Sequence, residues 1–203
     1  MATRDYTFDG AEITPRAWTL TARHPNIALD VYPNVLPVKL SQRAADIAIR
    51  VVRPSNGDYL LRRVGSMAIS LYASPAYLSE HGEASRAAGL DQHRIIGWTE
   101  HFQFLPHVAW LDTQIGRKLP ILRTSSMTSQ FKAAKAGLGI AAVPTLLAEA
   151  AGLIRMVPEI DPLILELWLA MHTETQGHLR VWAVADYIIE MLAADAEKLN
   201  PFA

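Results

Sequence analysis

No cysteine occurs among the 203 residues. Disulfides and thiolate metal sites are therefore excluded, which suits a reducing compartment. Long apolar runs are missing too. Nothing approaches the roughly eighteen uninterrupted apolar residues of a membrane-spanning helix. The opening "MATRDYTFDG" has no apolar core of signal-peptide length. Neither sign of charge dominates, with 19 basic against 20 acidic residues and a net charge of −1. A domain that holds nucleic acid on its own surface usually shows a basic excess, so direct DNA contact is not expected. What remains is half hydrophobic and 19% charged, a globular composition. The chain is long enough to bury a substantial core in one domain or two small lobes. The expectation is a cytoplasmic protein with no membrane partner.

Catalytic signatures are also absent. There is no nucleophile elbow and no Walker phosphate loop. "GLGIAA" has glycines two apart, but they precede a strand; they read as a helix stop followed by close backbone packing. Seven histidines invite a metal hypothesis. His101 and His107 lie in "HFQFLPH", and His172 and His178 flank Glu174, but none has HExxH spacing, and ordinary histidines are the reading preferred. The carboxylates are scattered, with no acid/base pair on a recognisable loop. No enzyme, metal or cofactor is expected.

The patterning that is present alternates helix and strand. Residues 14–25 read as a short helix, with Thr14 as cap, Pro15 in its first position and Pro25 as its stop. "NIALDVY" alternates like a strand. "PNVLPVKLSQRAA" restarts a helix. "DIAIRVV" is nearly continuous in apolar residues, as in strands buried on both faces. This order predicts an α/β fold with a partly parallel sheet. "RPSNGD" is turn chemistry. "YLLRRVGSMAISLYA" reads as two strands separated near Gly65. Ser74 then caps a helix that Pro75 opens and Gly82 stops. Residues 83–120 yield only "RIIGW" as a strand. "SSMTSQFKAAKAG" predicts a helix, "LGIAAVP" a buried strand, "TLLAEAA" a helix, and "LIRMV" and "LILELWLAMH" strands. The last helix, about 177–199, has an apolar stripe of Leu179, Trp182, Ala185, Ile189 and Leu192.

Several segments occur together and in order: "RHPNIALDV", "ADIAIR", "LYASPAYLSEHG", "LDQH" and "AGLGIAAVP". In sequence and spacing they resemble the effector-binding domain of LysR-type transcriptional regulators. The resemblance covers about Arg23 to Trp182. It implies a two-lobed, type 2 periplasmic-binding-protein-like α/β fold, with two crossover strands and a small-molecule cleft between the lobes. On this chain the first lobe would be residues 1–72 plus 171–203 and the second 73–170. The hinge would comprise Tyr72, Ala73, Ser74, Ala170 and Met171. The family's N-terminal winged helix-turn-helix has no counterpart here, so the expectation is an excised domain or a truncated product. "RDYTFDGAEI" also lacks the apolar run of the family's first strand.

Ligands in open α/β sheets bind beyond the carboxyl ends of strands, where helix N-termini favour anions. That rule selects Pro33, Asn34 and Val35, then Arg50 and Val51, then Gly97 and Trp98, and finally Ser125, Ser126, Met127 and Thr128. These positions also resemble the family's effector-contacting loops. Arg50 could grip a carboxylate bidentately or serve as a structural ion-pair partner. Ser125, Ser126 and Thr128 are ligand donors or plain caps, Trp98 ligand wall or core, and Asn34 cap or donor. The function implied is sensing of a small anionic or polar effector within a homodimer or larger homo-oligomer. DNA would be reached only through the missing domain. Trp18 and Leu20 read as exposed apolar residues that would support self-association. The alternatives are a stand-alone solute-binding protein and an enzyme on the same scaffold.

Overall fold

The computed structural model describes residues 2–5, 16–33, 45–55, 57–82 and 89–203. The chain divides into two units, residues 1–66 with 166–197 and residues 67–165 with 198–203.

In unit 1 the sheet order is β2 (Asp30–Pro33), β1 (Ala2–Asp5), β3 (Ile47–Arg50) and β9 (Leu163–His172). β1 runs parallel to both β2 and β3, while β9 returns antiparallel to β3. "ATRD" carries no apolar alternation, so β1 is a strand that patterning could not find. Ile47, Ala48 and Ile49 are buried, as the continuous apolar run requires. Helix α1 (Ala17–Arg23) follows the sequence reading, although positions 14 and 15 lie outside the described residues. Its Trp18 is 70% exposed, but Leu20 is 1% exposed and belongs to the core. Helix α6 (Leu179–Ala194) buries Val181, Val184, Ala185, Ile188, Met191 and Leu192. The expected stripe therefore had the wrong phase: Leu179 is 86% exposed. The spacing that begins at Val181 keeps a cleaner three-and-four rhythm.

"YLLRRVGSMAISLYA" is one 15-residue strand, β4 (Tyr59–Ala73), rather than two. It begins in unit 1 and ends in unit 2. In unit 2 the order is β4, β7 (Ile140–Pro144), β5 (Ile95–Trp98) and β6 (Leu122–Thr124). β7, β5 and β6 are mutually parallel, and β4 is antiparallel to β7. The two-residue strand β8 (Ile154–Arg155) adds to β4. Helices α2 (Pro75–His81), α3 (Pro106–Ile115), α4 (Met127–Lys135) and α5 (Thr145–Ala150) connect these strands. The chain ends with α7 (Ala196–Leu199). α3 escaped the sequence reading. It buries His107, Val108, Leu111 and Ile115, but the intervening Ala109 and Trp110 blur the periodicity.

The capping chemistry is as read. The Ser74 hydroxyl accepts the Tyr77 N–H at 3.2 Å, and the Gly82 N–H donates to Leu78 at 2.8 Å. Gly137 takes φ +85° at the end of α4. A Cβ on Gly139 would lie 2.4 Å from the Arg94 carbonyl oxygen, so this position needs glycine for a close backbone approach.

The exchange between units falls at Ser66/Met67 and Leu165/Glu166, earlier in each strand than the expected hinge. Tyr72, Ala73 and Ser74 are buried in unit 2, with Tyr72 and Ala73 held in ladders. Ala170 and Met171 pair with β3 inside unit 1. The Ser-Pro break marks a strand-to-helix corner within one unit. β4 stays one strand through the passage while its burial changes at Met67, after Arg62, Arg63, Gly65 and Ser66, so the passage carries no helix-capping signal.

Candidate functional site

In unit 1 the carboxyl ends of β1, β2 and β3 lie along one edge, with Asp5 paired to both Pro33 and Ile49. Arg50 closes β3 there, half-buried and in register with Trp168 of β9. Val51 is buried, so its side chain belongs to the core. Arg53 stacks over the Trp168 ring at 4.9 Å. Asn34 and Val35 lie outside the described residues.

In unit 2 the second group comes together. Trp98 is in register with Thr124, and the Thr99 N–H donates to the Thr124 carbonyl at 3.3 Å. This places Trp98 beside the segment 125–128 that enters α4. Ser126 is the N-cap, its hydroxyl accepting the Ser129 N–H at 3.3 Å, while its own N–H donates to the Thr124 hydroxyl. Ser125 is exposed and Thr128 half-exposed, whereas Met127 points its side chain into the core. Met127 can therefore offer a ligand only its backbone. Trp98 is 6% exposed and packs against Phe102 and His107, with ring centroids 5.3 and 5.2 Å away. Gly97 lets Pro120 approach, since a Cβ there would meet its ring at 2.8 Å.

Sequence reasoning missed Gln130 and Thr145 in this unit and gave His107 no role. Gln130 and Thr145 are fully buried; the Gln130 amide has no hydrogen-bond partner among the described residues, and the Thr145 hydroxyl faces only the Tyr72 hydroxyl. The Trp98 indole N–H likewise has no partner among the described residues. Gln130 shares the inward face of α4 with Met127 and Ala134, a three-then-four spacing that sequence alone could have shown. Thr145 directly follows β7, so it occupies the carboxyl end of a third parallel strand. Close by, burial raises the pKa of Tyr72; the Thr145 hydroxyl beside it acts the other way. His107, set aside from the sequence as an ordinary histidine, is the third such group. It is wholly buried with neither ring nitrogen bonded, and burial lowers its pKa to about 4. Buried polar groups are nearly always satisfied, so orphans in one unit indicate hydrogen-bonding capacity held open.

The other histidines do not assemble a site. His172 Nδ1 accepts the Glu174 N–H at 3.2 Å, a local cap. Among the described residues, no three His, Asp or Glu side chains are grouped to hold a metal ion. No helix among them is long and apolar enough to cross a membrane.

Comparison with known proteins agrees with this geometry. The LysR substrate binding domain family model matches residues 8–193. An uncharacterised HTH-type transcriptional regulator of Haemophilus influenzae is 26% identical over 164 residues, which is 76% of this chain and 56% of that protein. The chain thus spans about half the length of that relative. The regulatory domain of CrgA, a LysR-type transcriptional regulator from Neisseria meningitidis, superposes with a TM-score of 0.82 at 22% identity, covering 95% of this chain and 98% of that one. The effector domain of the transcriptional regulator AmpR of Pseudomonas aeruginosa gives 0.73 at 18% identity and covers 97% of both chains. These relatives are regulators, and none supports a stand-alone solute-binding protein. With its parallel carboxyl-end edges and this match over most of its length, the chain belongs to the LysR substrate-binding domain family, the effector-binding domain of LysR-type regulators, and has their type 2 periplasmic-binding-protein-like fold.

Proposed function

We propose that this chain senses a small anionic or polar molecule for a LysR-type transcriptional regulator, acting as a binding module and not as an enzyme. The observation that carries the reading is the edge of unit 2, where Trp98, Ser125, Ser126 and Thr128 meet the start of α4. Backbone N–H groups at a helix start favour an anion, and the hydroxyls beside them add donors. Gln130 adds a buried, unpartnered amide, and Thr145 a buried hydroxyl beside that of Tyr72. In unit 1, Arg50 supplies the charge for a carboxylate, with Asn34 and Val35 as further candidate contacts. The lobe division and hinge of the family are proposed for this chain with the exchange at residues 66/67 and 165/166.

The whole protein would be a cytoplasmic regulator that reaches DNA through a separate N-terminal domain. Effector binding would shift the population of its conformations, and with it the arrangement of a homodimer or larger homo-oligomer. Self-association has support in exposed apolar residues: Trp18 on α1, and Leu119 and Ile121 leading into the edge strand β6, are 70%, 72% and 53% exposed.

A thermal-shift screen of small organic acids tests the reading. A ligand at about a hundred times its Kd adds ~2.7 kcal/mol, a shift of roughly 5 °C. Arg50→Ala should abolish the shift for a carboxylate ligand. A screen with no hit among aliphatic, aromatic and amino acids would remove the sensing proposal. An unchanged affinity in Arg50→Ala would remove the arginine anchor.

A further inference from the structure

Tyr77 of α2 is wholly buried, and two imidazoles meet it. The His81 ring stacks on the Tyr77 ring with centroids 4.3 Å apart and planes 9° from parallel. Its Nδ1 lies 3.3 Å from the Tyr77 carbonyl at the end of the helix. His93 comes from a different segment, its ring centroid 5.9 Å from that of Tyr77 and its Nδ1 3.4 Å from the Tyr77 hydroxyl. That hydroxyl accepts the Arg94 N–H at 2.8 Å. Tyr77 therefore ties α2 to residues 90–94, the segment that leads into β5. Lys118 fastens the same segment from the turn after α3, its ammonium donating to the Asp91 carbonyl.

The groups that act on His93 are basic. Burial lowers its pKa, and the charges of His81 and Lys118 lower it further. The Asp91 and Arg94 side chains of its own segment are exposed. Asp91 meets Lys118 through its backbone carbonyl and not through its carboxylate. The entry to β7 adds no charge: Gly139 and Ile140 are the residues that lie against Arg94.

Histidine is the side chain whose charge changes between about pH 5 and 8. An imidazolium at His81 keeps its place, because an aromatic face and a carbonyl at a helix end both favour a cation. A second imidazolium at His93 is buried and faces His81 and Lys118 as like charges. Three cations around one buried ring are relieved only when the segments part. We propose that His81, His93 and Lys118 form an acid-sensitive latch, which holds α2 against residues 90–94 while the imidazoles are neutral and releases it once both carry a proton. The latch does not depend on the sensing role proposed above.

NMR titration of the chain from about pH 7.5 to about pH 5 reads both imidazoles, and amide hydrogen exchange over the same range reads the release. His93 should titrate below an ordinary histidine. Its midpoint should rise in His81→Gln and in Lys118→Met, because each removes a facing cation. Both residues are only half-buried, so the variants should fold. The Leu78 and Gly82 N–H groups, bonded to Ser74 and Leu78, report on α2. Corrected for the intrinsic rate, their exchange should speed up on acidification at least about tenfold more than that of α4. Unfolding of the whole unit, which a proton on His107 promotes, would speed both helices alike. His81→Gln should remove most of the difference. Exchange in α2 that merely follows α4, or a His93 midpoint unmoved in either variant, would overturn the latch.

Discussion

The two units treat buried polarity differently. Among the described residues of unit 1, the one buried polar side chain is Asp195, and it is ion-paired with Arg16. The Tyr187 hydroxyl donates to the Arg16 carbonyl at 2.6 Å and tightens the same corner. Unit 2 buries Ser70, Ser74, His93, Asn200, His107, Gln130 and Thr145. The first four of these are bonded, Asn200 accepting the Phe202 N–H at 3.3 Å. Ser74 caps α2, and Ser70 accepts from Arg155. The Tyr77 hydroxyl accepts the Arg94 N–H at 2.8 Å and lies 3.4 Å from His93 Nδ1. Of the last three, His107 and Gln130 have no hydrogen-bond partner among the described residues, and Thr145 has only the Tyr72 hydroxyl beside it. An unmade buried hydrogen bond costs about 1–3 kcal/mol. Protein interiors retain such groups where something else is to be bound, and two of the three follow the carboxyl ends of parallel strands.

That contrast can be broken in several ways. The largest effect should come from the tight backbone of unit 2. Gly139→Ala places a Cβ against the Arg94 carbonyl and should cost about 3 kcal/mol or more, or prevent folding. Denaturant titration would show it, and a loss under 1 kcal/mol would contradict the packing described.

Next is pH. His107 is held neutral in the fold, with a pKa of about 4 against an ordinary 6.5. The folded state therefore resists a proton that the unfolded chain accepts. This contribution is fully present above about pH 6.5 and is lost as pH falls toward 4. By pH 5 the loss from this residue is on the order of 2 kcal/mol. The burial-lowered His93 acts in the same direction. Urea melts between pH 7 and 5 measure the loss, and a folded His107→Phe variant should flatten most of it. An equal slope in that variant would place the titration elsewhere.

The opposite signs expected of two conservative changes put the comparison most plainly. Gln130→Leu removes an unsatisfied amide from unit 2 and should stabilise by about 1 kcal/mol. Asp195→Asn removes a satisfied charge from unit 1 and should destabilise by about as much. The smallest effect is at the surface. Arg23 and Glu190 pair at 2.9 Å but are mostly exposed, so Arg23→Ala should change stability by less than about 0.5 kcal/mol.

Legibility followed the same physics. Caps and glycine stops are local chemistry, so α2, the end of α4 and the close approach at Gly139 could be read directly. β7 and β3 showed as continuous apolar runs because both faces are covered. β1 could not be read, since "ATRD" has no apolar signal and its place is set by pairing with β2 and β3. The phase of α6 was misjudged because Leu179 is apolar yet exposed. The exchange between units was placed at a visible helix start, whereas it occurs inside an unbroken strand. In the candidate site, strand ends and hydroxyls pointed to Trp98 and to residues 125–128. Gln130 and Thr145 were passed over because a polar residue on an inward face looks unremarkable until its surroundings are known, and His107 was set aside because it has no metal-site spacing.

Backbone amide hydrogen exchange, with and without the acid that gives the largest thermal shift, tests the sensing edge most directly. The account predicts slowed exchange at the N–H groups of residues 126–130, where α4 begins, and none beyond the global stabilisation at the far end of α4. Binding without added protection at 126–130 would contradict it.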